Sequence, residues 1–512
     1  MNQKKAGVIL SYFSLGLSTL VGIIYTPIML NLLGKNEYGL YSLAASVVGY
    51  LGLFNFGFSG SYLRFYSRYK AQDDTIGIAR LNGMFFVVFA AIAIITLLSG
   101  LILVYYSDFI LGSKLTIKEL ATGKILLIIL IFNMFLSLPA TVFYVYITAH
   151  ERFIFQKAIG LVQVIAGPLM VLPILILGYG SIGMVTVATL LTIAINFANI
   201  YFCFKKLHMQ FTFGNFDFSL LTEMSIFSSF IFINVLIDQI NWSVDNYILA
   251  RVKGTSSVAV YSIGATLNRY YMSFAVVIAG VFTPQINRMV AEKDDNTELL
   301  GVMIRAGRIQ FFLLTLIASG FVIFGREIIH LWLGNEYDKA YFIALILIIA
   351  ATIPFVQSIC IEIQRAKNKH KFRSIAFLII AIINIAISIP LAKMYGGIGC
   401  AIGTGISLIV GNGLIMNWYY HNKIGLNIKH FWKEIIKFFP ALIFPIILGA
   451  GIMLYLNINE FLPLIAVIMV YSLCYMSSMW LLGLNNYEKG IFISLLQKLK
   501  FINCRKKIRA KK

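Results

Sequence analysis

Apolar segments long enough to cross a bilayer recur along the whole chain, and nothing else limits its possible folds as tightly. A spanning helix takes about 20 apolar residues, because the hydrocarbon layer is about 30 Å thick and each helical residue rises about 1.5 Å. Hydrophobic residues make up 59% of the 512 residues and charged ones 12%. A soluble domain carries about 25% charge and about 45–50% apolar residues. That excess excludes a soluble enzyme, a disordered chain and a secreted disulfide scaffold. An open β-architecture is also excluded, since backbone polar groups in lipid must be satisfied inside each segment. The pattern predicts an all-α polytopic membrane protein of about fourteen spans.

The linkers between spans are short, which leaves no room for an inserted catalytic domain, so the chain is not read as an enzyme. The opening segment runs past Pro27 to about Leu33, longer than a signal-peptide core, and is expected to be an uncleaved first span. The net charge of +21 would point to nucleic acid in a soluble protein. Here it is read as positive-inside topology, with no nucleic-acid partner and both termini cytoplasmic, because most Lys and Arg fall in loops on the N-terminal side. The densest clusters, Arg365 to Arg373 and Arg505 to Lys512, are read first as topology signals and second as docking points for anionic membrane lipids. Five scattered cysteines (Cys203, Cys360, Cys400, Cys474 and Cys504) lack the spacing of a disulfide framework or a zinc site. No metal is firmly assigned.

An internal repeat organises the spans. Tyr179-Gly180-Ser181-Ile182-Gly183 returns as Tyr395-Gly396-Gly397-Ile398-Gly399. At nearly the same interval, Gly34, Tyr41, Ser42, Ala45 and Arg68 match Gly254, Tyr261, Ser262, Ala265 and Arg288. Each copy holds six spans, an even number, so both enter the membrane in the same orientation. The expected architecture is two pseudo-symmetric six-helix lobes, 1–210 and 211–425, then two further helices in 426–485 and a basic cytoplasmic tail, 486–512.

Ionisable side chains inside spans are rare, and each costs about 2.5–3.5 kcal/mol at a helix centre. The seventh span, about 222–250, has Asn234, Asp238, Asn241 and Asp245 at steps of four, three and four, on one face. Such a stripe must face a cavity or cation site, or hydrogen-bond to a neighbouring helix. Gln239, Trp242 and Asn246 lie off it.

Ile24-Tyr25-Thr26-Pro27-Ile28-Met29-Leu30, the run Leu33-Gly34-Lys35-Asn36-Glu37-Tyr38-Gly39-Leu40-Tyr41, the stretch Gly57 to Arg64 and the paired Tyr-Gly-x-Ile-Gly turns resemble the O-antigen-type polysaccharide flippases. That family shares a superfamily with multidrug and toxin extruders and peptidoglycan-lipid flippases. The resemblance implies translocation of a polyprenyl-pyrophosphate-linked oligosaccharide across a bacterial plasma membrane by alternating access. Other polysaccharide-assembly proteins are further partners it implies.

For such a cargo Arg269, inside the eighth span (about 258–283), is the first candidate, because a pyrophosphate suits the permanent, forked guanidinium. Arg64 and Asn241 join it as substrate candidates. A structural ion pair for Arg269, and an interfacial anchor for Arg64, are the plainer readings. The resemblance also implies a coupling-ion set, for Na+ or H+, in which Asp238 or Asp245, Asn384 and Thr404 correspond; no other cofactor is expected. Ser388 stands where a second acid is expected, which puts sodium in question. The stretch Gly399-Cys-Ala-Ile-Gly403-Thr404-Gly405 also reads simply as a small-residue packing face. Two rivals stay open, a cation-coupled drug exporter of the same superfamily and a membrane-bound glycan polymerase.

Overall fold

Glycine placement shows why the chain turns where it does. The computed structural model describes residues 3–55, 58–112, 114–214, 218–292, 295–367, 369, 371–456, 458, 460–490 and 493. Helix α1, Gln3–Leu33, ends at Gly34, whose φ of 78° only glycine adopts without strain, and α2, Lys35–Leu51, starts at once. Its repeat mate Gly254 has φ 85° and separates α9, Phe218–Lys253, from α10, Thr255–Glu292. Gly180 and Gly396, the second repeated pair, have φ of 57° and 61°. The sequence repeat is therefore also a repeat of backbone turns.

Among the described residues every regular element is helical. A short 3-10 turn at Gly52–Asn55 follows α2. Next come α3 (Phe58–Ala71), α4 (Thr75–Tyr105), α5 (Ser107–Leu111), α6 (Ile117–Ala149), α7 (Phe153–Ile176) and α8 (Gly180–Lys206). After α10 follow α11 (Asn296–Leu333), α12 (Lys339–Val356), α13 (Ser358–Ala366), α14 (Lys371–Tyr395), α15 (Gly397–Leu408) and α16 (Asn417–Tyr419). The last are α17 (Ile428–Ile436), α18 (Phe439–Tyr455) and α19 (Phe461–Ser478). Polar loop residues start several helices. Asp74 accepts from the Gly77 amide at 2.7 Å, and Thr116 and Glu119 form a capping box.

Twelve segments among the described residues are long and apolar enough to cross a membrane. Helices α9 and α10, with 36 and 38 residues, lie at the expected seventh and eighth positions. The chain is a multi-pass membrane protein. Several expected spans are broken internally. The second, expected as one helix, divides around Gly52–Asn55, and the tenth divides at Gln357, three residues after Pro354. Proline removes a hydrogen bond from the turn before it. By contrast Pro27, Pro139 and Pro390 sit inside helices that continue past them.

The chain packs as two compact units, Met1–Thr266 with Arg373–Ser407, and Leu267–Phe372 with Leu408–Lys512. These units are set by packing, and their bounds differ from those of the repeat. In the first unit α6 packs against α4 and α8, and α1 against α7. Its core is rich in buried aromatic side chains. Tyr62 is fully buried, donates to Asn82 Oδ1 at 2.5 Å and meets Phe85 edge to face, with ring centroids 4.8 Å apart. In the second unit α11 packs against α12, α17, α18 and α19. There Arg308, 3% exposed, forks onto Glu488, 2% exposed, with Nε–Oε1 and Nη2–Oε2 distances of 2.5 and 3.0 Å. Its remaining donors reach the Glu434 and Gly483 carbonyls.

Candidate functional site

In the first unit a sealed carboxylate lies where α9, α10, α14 and α15 contribute side chains. Asp245 of α9 has no solvent exposure. Tyr261 of α10 donates its hydroxyl to Asp245 Oδ2, and Thr404 Oγ1 of α15 donates to the same oxygen at 2.8 Å. Behind Thr404, Asn384 Nδ2 of α14 donates to Oγ1 at 3.3 Å, and Ser388 Oγ donates to Asn384 Oδ1 at 3.0 Å. Asn384 and Ser388 are fully buried, and Thr404 is 1% exposed.

Glycine makes the approach of α14 and α15 possible. A Cβ on Gly403 would lie 2.4 Å from Ser388 Oγ, and one on Gly399 would lie 2.0 Å from the Leu391 carbonyl oxygen. The small-residue face expected from sequence is thus a packing face, and that packing brings Thr404 to the carboxylate.

Asp245 Oδ1 is buried and accepts no hydrogen bond among the described residues. Leaving a carboxylate oxygen unmet in a dry site costs free energy that a proton or a small cation would recover. The oxygens of Asp245, Thr404, Asn384 and Ser388 are hard donors suited to an alkali ion or a proton. Together they carry one formal charge, that of Asp245.

The expected site residues divide. Asp245, Asn384 and Thr404 come together, with Ser388 beside them. Asp238 shares α9, but its side chain lies outside the described residues, as does that of Asn234. Asn241 is half-buried on α9. Arg64 is exposed on α3, 3.5 Å from Glu223 Oε1, and Arg68 approaches the other oxygen of Glu223 at 3.9 Å. All of these belong to the first unit. Arg269 belongs to the second and is exposed on α10. Among the described residues no cluster of three or more His, Cys, Asp or Glu side chains could hold a metal.

Two features were missed in the sequence. Tyr261 appears there only as the repeat mate of Tyr41, yet it is the second donor to Asp245. Its spacing of sixteen residues from Asp245 crosses the α9–α10 turn, so no helical periodicity links the two. The next pair across that turn is Asn246 with Ser262, 3.3 Å apart, and Asn246 Nδ2 also donates to Ser46 Oγ of α2 at 2.8 Å. Interhelical hydrogen bonding is therefore carried by Asp245 of the predicted stripe and also by Asn246, which lies off it.

Comparison with known proteins agrees with this architecture. A family model described as polysaccharide biosynthesis protein matches residues 5–290. The uncharacterized membrane protein EpsK of Bacillus subtilis is 24% identical over 94% of this chain and 96% of its own length. A putative O-antigen transporter of Shigella flexneri is 20% identical over 80% of this chain and 95% of its own length. Among solved structures, the lipid II flippase MurJ in an inward closed conformation superimposes with a TM-score of 0.69 at 16% identity, covering 93% of this chain and 98% of that one. An inward-facing multidrug resistance MATE family transporter gives 0.65 at 13% identity, covering 81% and 96%. At those identities the two structures speak for the fold, which is that of the MurJ and MATE proteins. The family model covers more than half of the chain, and the chain belongs to the polysaccharide biosynthesis protein family.

Proposed function

We propose that this protein is a flippase that carries a polyprenyl-pyrophosphate-linked oligosaccharide from the inner to the outer leaflet of a bacterial plasma membrane. Membership of the family supports the cargo class, and the fold shared with a lipid II flippase supports the mode of transport. Both termini lie in the cytoplasm, as the distribution of Lys and Arg favours. The repeated lobes, 1–210 and 211–425, alternate in access, while 426–485 adds two helices.

One observation carries the coupled character of this reading, the fully buried Asp245 with an oxygen that accepts no hydrogen bond among the described residues. A ligand biases a two-state transporter only through different affinity for the two states. When bound, a proton or a sodium ion supplies the positive charge that Asp245 lacks. Asp245, Thr404, Asn384 and Ser388 hold it, and Tyr261 and Thr404 keep the carboxylate oriented between α9, α10 and α15. Asp238 is a second acid for the same role. Arg269 takes the pyrophosphate, with Arg64 and Asn241 as further cargo contacts.

The test is the lipid-linked glycan pool of cells depleted of the protein. Accumulation of polyprenyl-pyrophosphate oligosaccharide on the inner leaflet, with surface polysaccharide lost, is expected. An unchanged pool with intact surface glycan rejects the reading and moves a cation-coupled drug exporter to first place. Arg269→Ala is expected to abolish transport with folding intact, and a fully active variant removes Arg269 from the cargo site.

A further inference from the structure

The second unit contains an apolar cavity that the transport reading leaves without a role. It measures about 490 Å3 and lies between α11, α12, α17 and α18. Phe311, Val322 and Ile353 form part of its wall, and Trp432, Ile436 and Leu442 contribute from the α17–α18 side.

Helix α17 places three kinds of side chain in order around its axis, at 100° per residue. Ile428, Phe431 and Ile435 face inward and are buried. The next face carries Trp432 and Ile436, which line the cavity. Next to that face lie Lys429 and Lys433, both exposed. The single acid of the helix, Glu434, is on the opposite flank, where Lys437 Nζ at 2.5 Å and Arg308 Nη1 at 3.9 Å engage it. The mouth of the cavity is consequently bordered by positive charge alone from this helix.

Trp432 Nε1 is buried and has no hydrogen-bond partner among the described residues. An indole N–H without an acceptor is uncommon, because tryptophan at a membrane interface ordinarily pairs its polar edge. A ligand that completes this arrangement has an apolar chain, an acceptor oxygen at the junction of chain and head, and a negative head group.

We propose that the cavity binds an anionic glycerophospholipid. Its acyl chain fills the space between α11, α12 and α18, an ester or phosphate oxygen accepts from Trp432 Nε1, and the phosphate head group lies against Lys429 and Lys433. The charge on α17 favours this occupant over a zwitterionic lipid, and the unmet indole donor calls for an acceptor oxygen that either lipid carries. The inference stands apart from the flippase reading, and either can fail without the other.

Native mass spectrometry of the detergent-purified full-length protein, titrated with phosphatidylglycerol or phosphatidylcholine, tests it. The unaltered protein is expected to retain phosphatidylglycerol preferentially. Lys429→Ala with Lys433→Ala, both at exposed positions, should weaken phosphatidylglycerol binding about thirty-fold, from about 1 kcal/mol per lysine at 1.4 kcal/mol per decade. Trp432→Phe keeps the aromatic bulk, removes the donor and should weaken both lipids. Equal retention of the two lipids by the unaltered protein, or an unchanged preference in the double variant, overturns the proposal. So does displacement of bound phosphatidylglycerol by equimolar undecaprenyl phosphate, which would make the cavity a site for the polyprenyl chain. Unchanged binding by Trp432→Phe overturns the assignment of the indole.

Discussion

Thr404 of α15 donates its hydroxyl to Asp245 of α9 at 2.8 Å, joining two helices that lie more than 150 positions apart in the chain. Tyr261 donates to the same carboxylate oxygen, so hydroxyl groups from two neighbouring helices orient it. A bond of this kind to a charged group is worth about 1.5–3 kcal/mol where neither partner can reach water. Thr404→Val keeps the shape and removes the donor. It should lower thermal stability in detergent and weaken ion-dependent stabilisation, while Thr404→Ser should retain most of both. Equal behaviour of Val and Ser variants would contradict a role for the hydroxyl.

Close packing of α14 on α15 makes a graded prediction at two glycines. Gly399→Ala places a methyl group 2.0 Å from the Leu391 carbonyl oxygen, a backbone atom that cannot turn aside, whereas Gly403→Ala meets the Ser388 hydroxyl at 2.4 Å. Overpacking typically costs about 1–3 kcal/mol. Gly399→Ala should therefore be the more damaging, and Ser388→Ala should partly rescue Gly403→Ala but not Gly399→Ala. Melting temperatures of the four variants in detergent decide this, and a rescue of Gly399→Ala would contradict the contact geometry.

The buried Arg308–Glu488 fork fastens the segment after α19 to α11. Breaking such a pair from one side strands the other charge, at about 3–5 kcal/mol. Arg308→Met or Glu488→Met alone should strongly reduce the unfolding temperature, and the double substitution should recover much of the loss. A double variant no better than either single would show that the ion pair is not the main connection.

At the end of α6, outside the spanning segment, burial lowers the His150 imidazole from its ordinary value of 6.5, and Lys70 and Arg152 add to the effect. Nδ1 lies 3.0 Å from the Tyr146 carbonyl, which can only accept, so Nε2 accepts from the Tyr66 hydroxyl at 3.1 Å. The unfolded chain binds the proton more readily, so the stabilisation is complete above about 6.5 and declines as pH falls through and below that value. Melting curves from pH 7.5 to 5.0 should show a loss that His150→Gln reduces. An identical pH dependence in that variant would contradict the assignment.

The class of fold was legible because the apolar segments must be helices in lipid, and the repeat was legible because glycine alone tolerates the turns at Gly34, Gly180, Gly254 and Gly396. The break at Gly52–Asn55 was not, whereas the one at Gln357 follows Pro354, whose missing backbone donor is visible in the sequence. At the site, Asp245, Asn384 and Thr404 were read as a set through a family resemblance, and their hydrogen bonds connect them here. Tyr261 escaped because tyrosine is common in such a chain and its partner lies across a helical turn. Arg308 and Glu488 escaped for a related reason. Long-range ion pairs leave no periodic trace.

Translocation of a fluorescently labelled polyprenyl-pyrophosphate oligosaccharide in proteoliposomes tests the central claim most directly, with the unaltered protein compared with Asp245→Asn. The variant keeps the size of the side chain and removes its charge. The account predicts ion-gradient-dependent flipping by the unaltered protein and its loss in a folded Asp245→Asn variant. Flipping that is equally fast and equally gradient-dependent in both proteins would contradict the role of Asp245, and no flipping by the unaltered protein would contradict the flippase itself.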